Sequence, residues 1–441
     1  MTSESSAVAG LLAFVDASPS PWHAVANIAD VLDKAGFCRL DEWEQWQLHP
    51  GAGYYVIRGG SSIVAFKVPI HAGRGSRFRI VAAHTDSPGF RIRPKPDIGG
   101  GGLLRLGVEI YGSPIIASFA DRDLTLAGRI FVSDSTLSDG VRPVLFHVPR
   151  PLLRLPNAAI HLNREVNEEG LRFDRQEETS PVLGALSEGL PPAGQFLAFI
   201  AQNSGHEASA IRSWELALAD SQPGALFGAR QEYFATGRID NLASCHAAME
   251  ALVQAPAPDD SIAVCALFDH EEIGSQTYQG AEGSFLEDVT TRIGRSLIDE
   301  SWERRWASES VILSADMAHA FNPNYGRFYD ERHVVFLNAG PVVKINSNRR
   351  YATDAWGEAY FKALCERAGV PSQTYTHRGN LPCGSTIGPI TASRLGMRCI
   401  DVGNPMWAMH SARESAGARD HDYMTRAMTE FYAGTGGKRK Q

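Results

Sequence analysis

Ile262-Ala-Val-Cys-Ala-Leu-Phe268 runs directly into Asp269-His270-Glu271-Glu272, an unbroken apolar stretch that ends in four polar residues. Its length and composition read as a buried strand, and its acidic end reads as the loop beyond that strand. Three other stretches repeat the arrangement. Arg79-Ile-Val-Ala-Ala83 precedes His84-Thr-Asp86, and Val311-Ile-Leu-Ser-Ala315 precedes Asp316. Arg398-Cys-Ile-Asp-Val402 leads through a short loop to Met409-His410-Ser411. Helical patterns at Ala243–Val253 and Asp354–Ala368 fall between the later strands. Strands alternating with helices predict an α/β fold, a mixed sheet with helices on both faces. Ligands of such sheets bind beyond the carboxyl ends of the strands, where all four polar clusters fall.

Between His84 and Asp240 the pattern changes. Leu103–Tyr111 and Leu124–Val132 alternate with period two, as half-buried strands do. Pro143–Pro156 is proline-dense, and Glu165–Pro192 is polar and acidic. The chain therefore divides into a discontinuous catalytic part, residues 1–90 and 232–435, and an inserted β-rich part, residues 91–231. An elaborated set of loops on one domain is the alternative. Residues 436–441 form a basic tail expected to be mobile.

The bulk numbers exclude several classes. A chain of 441 residues is long for a single core. A formal charge of -8 and a pI near 6.0 argue against a nucleic-acid partner. No apolar run is long enough to span a bilayer, and Val8–Val15 lacks the basic flank of a signal peptide and reads as an amphipathic helix. The six cysteines form no C-x-x-C pair, and several lie in apolar runs, which reads as free thiols in a reducing compartment. A cytoplasmic enzyme is the expectation.

The nucleophile elbow, the phosphate loop and the dinucleotide fingerprint are all absent, and His270-Glu271 does not open H-E-x-x-H because Gly274 stands where the second His is required. What remains is a dispersed set of carboxylates and imidazoles. His84 and Asp86 have the spacing in which a carboxylate holds the far nitrogen of a metal-binding ring. Asp240, in Gly237-Arg-Ile-Asp-Asn-Leu242, stands before a helix, where a simple cap is the competing reading. The adjacent Glu271 and Glu272 suit a division of labour, one binding metal and one holding a proton.

These stretches resemble the M18 metallopeptidases, the aspartyl aminopeptidase family. The likeness also runs through Ala17-Ser-Pro-Ser-Pro-Trp-His-Ala24, Ser314-Ala-Asp-Met-Ala-His319, Gly340-Pro-Val-Val-Lys-Ile-Asn346 and Cys383-Gly-Ser-Thr-Ile-Gly-Pro389, in the family's order over nearly the whole chain. The resemblance implies a zinc-peptidase-like catalytic domain with an inserted dimerisation domain, and a peptide-cleaving site with two divalent ions. Asp240 would bridge the ions, His84 and Asp316 would complete one site, and Glu272 and His410 the other. Glu271 would be the general base, with Asp86 behind His84. Carboxylate and imidazole ligands suit Zn²⁺, and also Mn²⁺ or Co²⁺. Lys344 would read an acidic N-terminal side chain, and His161 would reach a neighbouring subunit's site in a dodecamer. The chain departs from the family at Asn380, where an Asp is common, which leaves open a preference for neutral residues. A deacylase or carboxypeptidase on the same metal core, with Lys344 or Arg378 as a carboxylate clamp, is the rival enzyme. A self-assembling shell without catalysis is the non-enzymatic one.

Overall fold

The computed structural model describes residues 3–73, 76–186, 191–297 and 306–434; the predicted mobile tail, residues 436–441, lies outside them. Helices α1 (Ser3–Ala17) and α2 (Pro21–Lys34) lead into β1 (Cys38–Arg39), β2 (Gly53–Arg58), β3 (Ser62–Lys67) and β4 (Arg77–His84). Val8, Leu11 and Val15 are buried, the spacing of one helix face, so the N-terminal apolar stretch is a helix as expected, but its exposed side is mostly Ala and Gly and only weakly polar. Next come β5 (Gly89–Gly100), β6 (Leu103–Tyr111), β7 (Leu124–Ser133), β8 (Val141–His147), α3 (Val166–Glu169), β9 (Val182–Ala185), α4 (Gln195–Ser204) and β10 (Ile211–Asp220). Then follow β11 (Ala225–Phe227), β12 (Tyr233–Thr236), α5 (Ile239–Gln254), β13 (Ser261–Phe268), α6 (Phe285–Leu297) and β14 (Val311–Ala315). The remainder is β15 (Ala318–His319), β16 (Val342–Ile345), α7 (Ala355–Ala368), β17 (Gln373–Thr376), α8 (Ile387–Leu395), β18 (Arg398–Gly403), β19 (Pro405–Trp407), β20 (Glu414–Gly417) and α9 (Asp420–Ala433).

Among the described residues the largest sheet has nine strands in the order β1-β2-β3-β13-β4-β14-β18-β16-β17. Its centre, β13-β4-β14-β18, is parallel, and the register sets Phe268 opposite His84 and Ala315 opposite Val402. The carboxyl ends of these strands therefore share one edge. Alternation explains why β13 is apolar throughout. Ala263, Cys265 and Leu267 pack toward α5 and α9, while Val264, Ala266 and Phe268 pack toward α6 and Trp306. A mixed α/β sheet covered on both faces is thus what the sequence leads one to expect.

A six-stranded antiparallel sheet, β8-β7-β10-β5-β6-β9, is built from residues between β4 and β11. Its inner face buries Phe90, Leu106, Leu126 and Leu216 against Phe196 and Ile200 of α4. Residues 225–236 pair elsewhere, in a five-stranded sheet of order β11-β12-β20-β19-β15. Cys245, Cys265, Cys365 and Cys399 are buried free thiols, as expected, whereas Cys38 is exposed. No helix among the described residues is long and apolar enough to cross a membrane.

Where α5 meets α9, His246 Nδ1 lies 2.9 Å from His421 Nε2, both rings buried. One ring donates and the other accepts, so the accepting ring is neutral, and burial disfavours a charge on either, lowering His246 to about 4 and His421 well below its usual value. A depressed folded-state value gives stability that is complete above the unfolded value near 6.5 and is lost as the pH falls toward 4. Asp420, pushed up to about 7 by burial, titrates in the opposite sense. The difference between the wild type and His246→Asn isolates the ring. The wild-type advantage in thermal or urea unfolding should shrink by roughly 3 kcal/mol between pH 7.5 and pH 4. An advantage independent of pH would mean that the pair is not held neutral.

Candidate metal centre

The apolar strands deliver their polar ends to one place. His84 is the last residue of β4, Asp316 follows β14, and Glu271 and Glu272 form a single 3-10 turn just after β13. His410 stands in the turn after β19 with φ 69°, a left-handed conformation that His tolerates better than most residues. Asp240 is not a helix cap. It and Asn241 have non-helical backbone angles within the first turn assigned to α5, and the peptide bond between them is cis. Gly403 lets β18 pass close to this edge, since a Cβ there would lie 1.7 Å from the Asp316 carbonyl oxygen.

Among the described residues three groups of ligand atoms result, each lying within 4.8 Å: His84 with Asp240 and Asp316, His410 with Asp240 and Glu272, and His84 with Glu271 and Glu272. The first two share Asp240. His84 Nε2 is 3.4 Å from Asp240 Oδ1 and 3.6 Å from Asp316 Oδ1. His410 Nε2 is 3.5 Å from both Asp240 Oδ2 and Glu272 Oε2. Asp240 thus turns one oxygen to each histidine. These separations are long for hydrogen bonds. They are close to the roughly 3.3 Å expected between ligands that each stand about 2.0–2.1 Å from a tetrahedral ion. Asp240 Oδ1 and Glu272 Oε1 are buried and accept no hydrogen bond. Buried carboxylates with unpartnered oxygens, set beside two imidazoles, are the donor set a divalent cation needs, so the residues fit the group.

Behind the ligands lies a second layer. His84 Nδ1 is 3.1 Å from the Asp86 carbonyl oxygen and 3.3 Å from Asp86 Oδ1, which leaves Nε2 for the cluster. The Asp86 carboxylate also accepts the N–H groups of Glu271 and Glu272 and the Tyr111 hydroxyl, the last at 2.7 Å. His410 Nδ1 donates to the Ser113 carbonyl at 3.0 Å. Tyr111 ends β6 and Ser113 follows it, so the six-stranded sheet supports both groups. Gly112 between them has φ +66°, and a Cβ there would meet Glu272 Cβ at 3.1 Å. Tyr111 and Ser113 were not legible as site residues, because a strand-end tyrosine and a backbone carbonyl carry no pattern.

Electrostatics follow from the crowding. Burial opposes a charged His84, but the carboxylates of Asp240, Asp316 and Asp86 outweigh it and hold the ring well above its usual value. His410 rises to about 10 in the same way, burial being outweighed by Asp240 and Glu272. Burial pushes the Glu271 carboxyl up to about 8, with His84 opposing and the charges of Asp316, Asp86 and Asp240 adding to the rise. Glu272 is driven well above the carboxylate range, first by burial and then by Asp240.

A cavity of about 450 Å³ opens onto the cluster and is lined also by Lys344, His319, Tyr351 and Thr386. Lys344 is no surface lysine. It is 2% exposed on β16, and its ammonium lies 3.4 Å from Asp316 Oδ2 and 3.2 Å from the Met317 carbonyl. Asn380 is exposed, and its Oδ1 accepts from Arg378 Nε at 3.0 Å. His161 lies in an exposed loop and is not among the residues lining the cavity of its own chain.

The family model described as aminopeptidase I zinc metalloprotease (M18) matches residues 14–432. A protein of Azotobacter vinelandii named "Probable M18 family aminopeptidase 2" is 43% identical over 428 residues, 96% of this chain and 97% of that protein. A chain in the cryo-EM structure of the Ape4 and Nbr1 complex superposes with a TM-score of 0.94 at 37% identity, covering 98% of this chain and 87% of that one. The mApe1 dodecamer of S. cerevesiae gives a TM-score of 0.83 at 27% identity, over 96% of each chain. The chain belongs to the M18 family of zinc metalloproteases and is a metallo-aminopeptidase of that family.

Proposed function

We propose that the protein is a two-metal aminopeptidase that removes acidic residues, Asp or Glu, from the N-termini of peptides in the cytoplasm. The observation that carries the two-metal reading is Asp240, whose two oxygens face two separate histidine-carboxylate groups. His84, Asp240 and Asp316 would hold one ion, and Glu272, Asp240 and His410 the other. Such ions, when bound, supply Lewis-acid polarisation of the scissile carbonyl and acidify water. The chain's own residues do the rest. Glu271 is 4.0 Å from His84 Nε2 through its Oε2, beside the cluster, and can take a proton and return it to the departing amine. Asp86 orients His84 and fixes the turn that carries Glu271.

Lys344 supports the acidic preference. An ammonium has three donors, and Asp316 and Met317 account for two, which leaves one for a substrate carboxylate in the cavity. We assign assembly to the six-stranded sheet, residues 91–231 being the inserted part, in a homo-oligomer of the kind the mApe1 dodecamer forms. His161, flanked by Ile160 and Leu162 at 47% and 84% exposure, would then reach a neighbouring subunit's cavity.

Hydrolysis of Asp-, Glu-, Leu- and Ala-p-nitroanilides by the wild type and Lys344→Ala tests the reading. A charged hydrogen bond is worth roughly 1.5–3 kcal/mol, so kcat/KM for Asp and Glu should fall about tenfold to hundredfold in the variant, with Leu and Ala little changed. An equal fall on all four substrates would show that Lys344 serves Asp316 rather than the substrate. Cleavage of an N-acetylated substrate would instead point to a deacylase or carboxypeptidase.

A further inference from the structure

The ligands come from strands of different sheets, and something must hold their backbones in register. For Glu271 and Glu272 that is Asp86, a carboxylate outside the ligand groups that accepts both N–H groups, at 3.1 and 3.2 Å. For Asp240 and His410 an equivalent acid stands at Glu414. Its Oε2 accepts from the Asp240 N–H at 3.1 Å and its Oε1 from the His410 N–H at 2.7 Å. The side chain is 1% exposed.

The topology explains why one residue can do this. Glu414 opens β20, which lies between β12 and β19 in the five-stranded sheet, with Glu414 opposite Thr236. β12 runs through Gly237 and Arg238 to Asp240, and β19 runs through Ala408 and Met409 to His410. The central strand therefore grips the two segments that its neighbours extend into the site. Arg238, buried and donating to the Ser18 and Val15 carbonyls, is near enough for its charge and that of Glu414 to influence one another. Both Glu414 oxygens are engaged by backbone N–H groups, and the residue belongs to none of the ligand groups.

We infer that Glu414 is a positioning residue, a carboxylate clamp that fixes Asp240 relative to His410 and thereby sets the affinity of the ion they share with Glu272. The inference rests on the two-metal reading. A glutamine at 414 keeps the shape but offers one accepting oxygen, and its NH₂ would face a backbone N–H. Loss of such an outer partner typically weakens metal binding about tenfold to hundredfold.

The test is Zn²⁺ affinity and stoichiometry of the full chain, by chelator competition, for the wild type, Glu414→Gln and Asp420→Asn. Asp420 is a buried acid of similar type that accepts the Asn338 and Gly340 N–H groups away from the ligands. The expected result is one ion bound tenfold to hundredfold more weakly in Glu414→Gln, the other little changed, while Asp420→Asn loses thermal stability and keeps its affinity. Glu414→Asp, one carbon too short to span both N–H groups, should weaken the same ion and provides the measurement if the glutamine variant does not fold. Wild-type affinity in either folded variant would overturn the inference. So would failure of both to fold with Zn²⁺ supplied, since Glu414 would then be purely structural. Wild-type protein that binds fewer than two ions would refute the two-metal reading itself, a separate outcome.

Discussion

Glu271→Gln should lose about 10²–10⁴ in kcat while the protein still takes up its full complement of metal. The carboxamide keeps the volume and the 3-10 turn, whose N–H groups stay anchored on Asp86. What disappears is a basic oxygen beside the cluster, on a residue outside the two ligand groups that share Asp240. Burial raises that group's affinity for a proton, an effect that bound cations would oppose, and so favours a carboxylate that can take a proton and give it back. A fall of that size corresponds to roughly 3–5 kcal/mol in the barrier. Activity and metal content must be measured on the same sample. Turnover within threefold of wild type, with metal bound, would remove Glu271 from the proton transfer.

Asp240→Ala should abolish binding of both ions, whereas His410→Ala should mainly weaken one. The carboxylate is shared between the two groups and the imidazole is not. Metal content of the purified variants reads the difference directly, and thermal unfolding reads it again. A ligand present at a hundred times its dissociation constant adds about 2.7 kcal/mol to the folded state. Added Zn²⁺ should therefore raise the unfolding temperature of the wild type and leave that of Asp240→Ala where it was. Loss of a single ion in both variants would show that Asp240 serves one site only.

The nine-stranded sheet was legible because its central strands are apolar on both faces and stop abruptly at His84, Asp269 and Asp316. Burial on two sides writes a continuous run that a half-exposed strand does not. The five-stranded sheet was illegible for the opposite reason. Its strands, such as Ala318–His319 and Pro405–Trp407, are too short to show any period. Asp240 taken alone reads better as a cap, since the sequence does not reveal that its backbone leaves the helical region. Glu414 gave no signal at all. Its neighbours Arg413 and Ser415 are ordinary, and its role exists only because β12 and β19 flank its strand. Lys344 could be singled out, but its burial against Asp316 could not.

Tyr111 and Ser113 tie the six-stranded sheet to both halves of the centre, one through Asp86 and one through the His410 ring. Coupling of this kind is reciprocal: whatever a cation gains from a well-seated β6, the seating of β6 gains from the cation. A disturbance on the outer strands of that sheet, far from any ligand, would then register as a change in metal affinity. If that sheet carries the proposed contacts between subunits, it is also the one through which assembly would be felt at the metal centre.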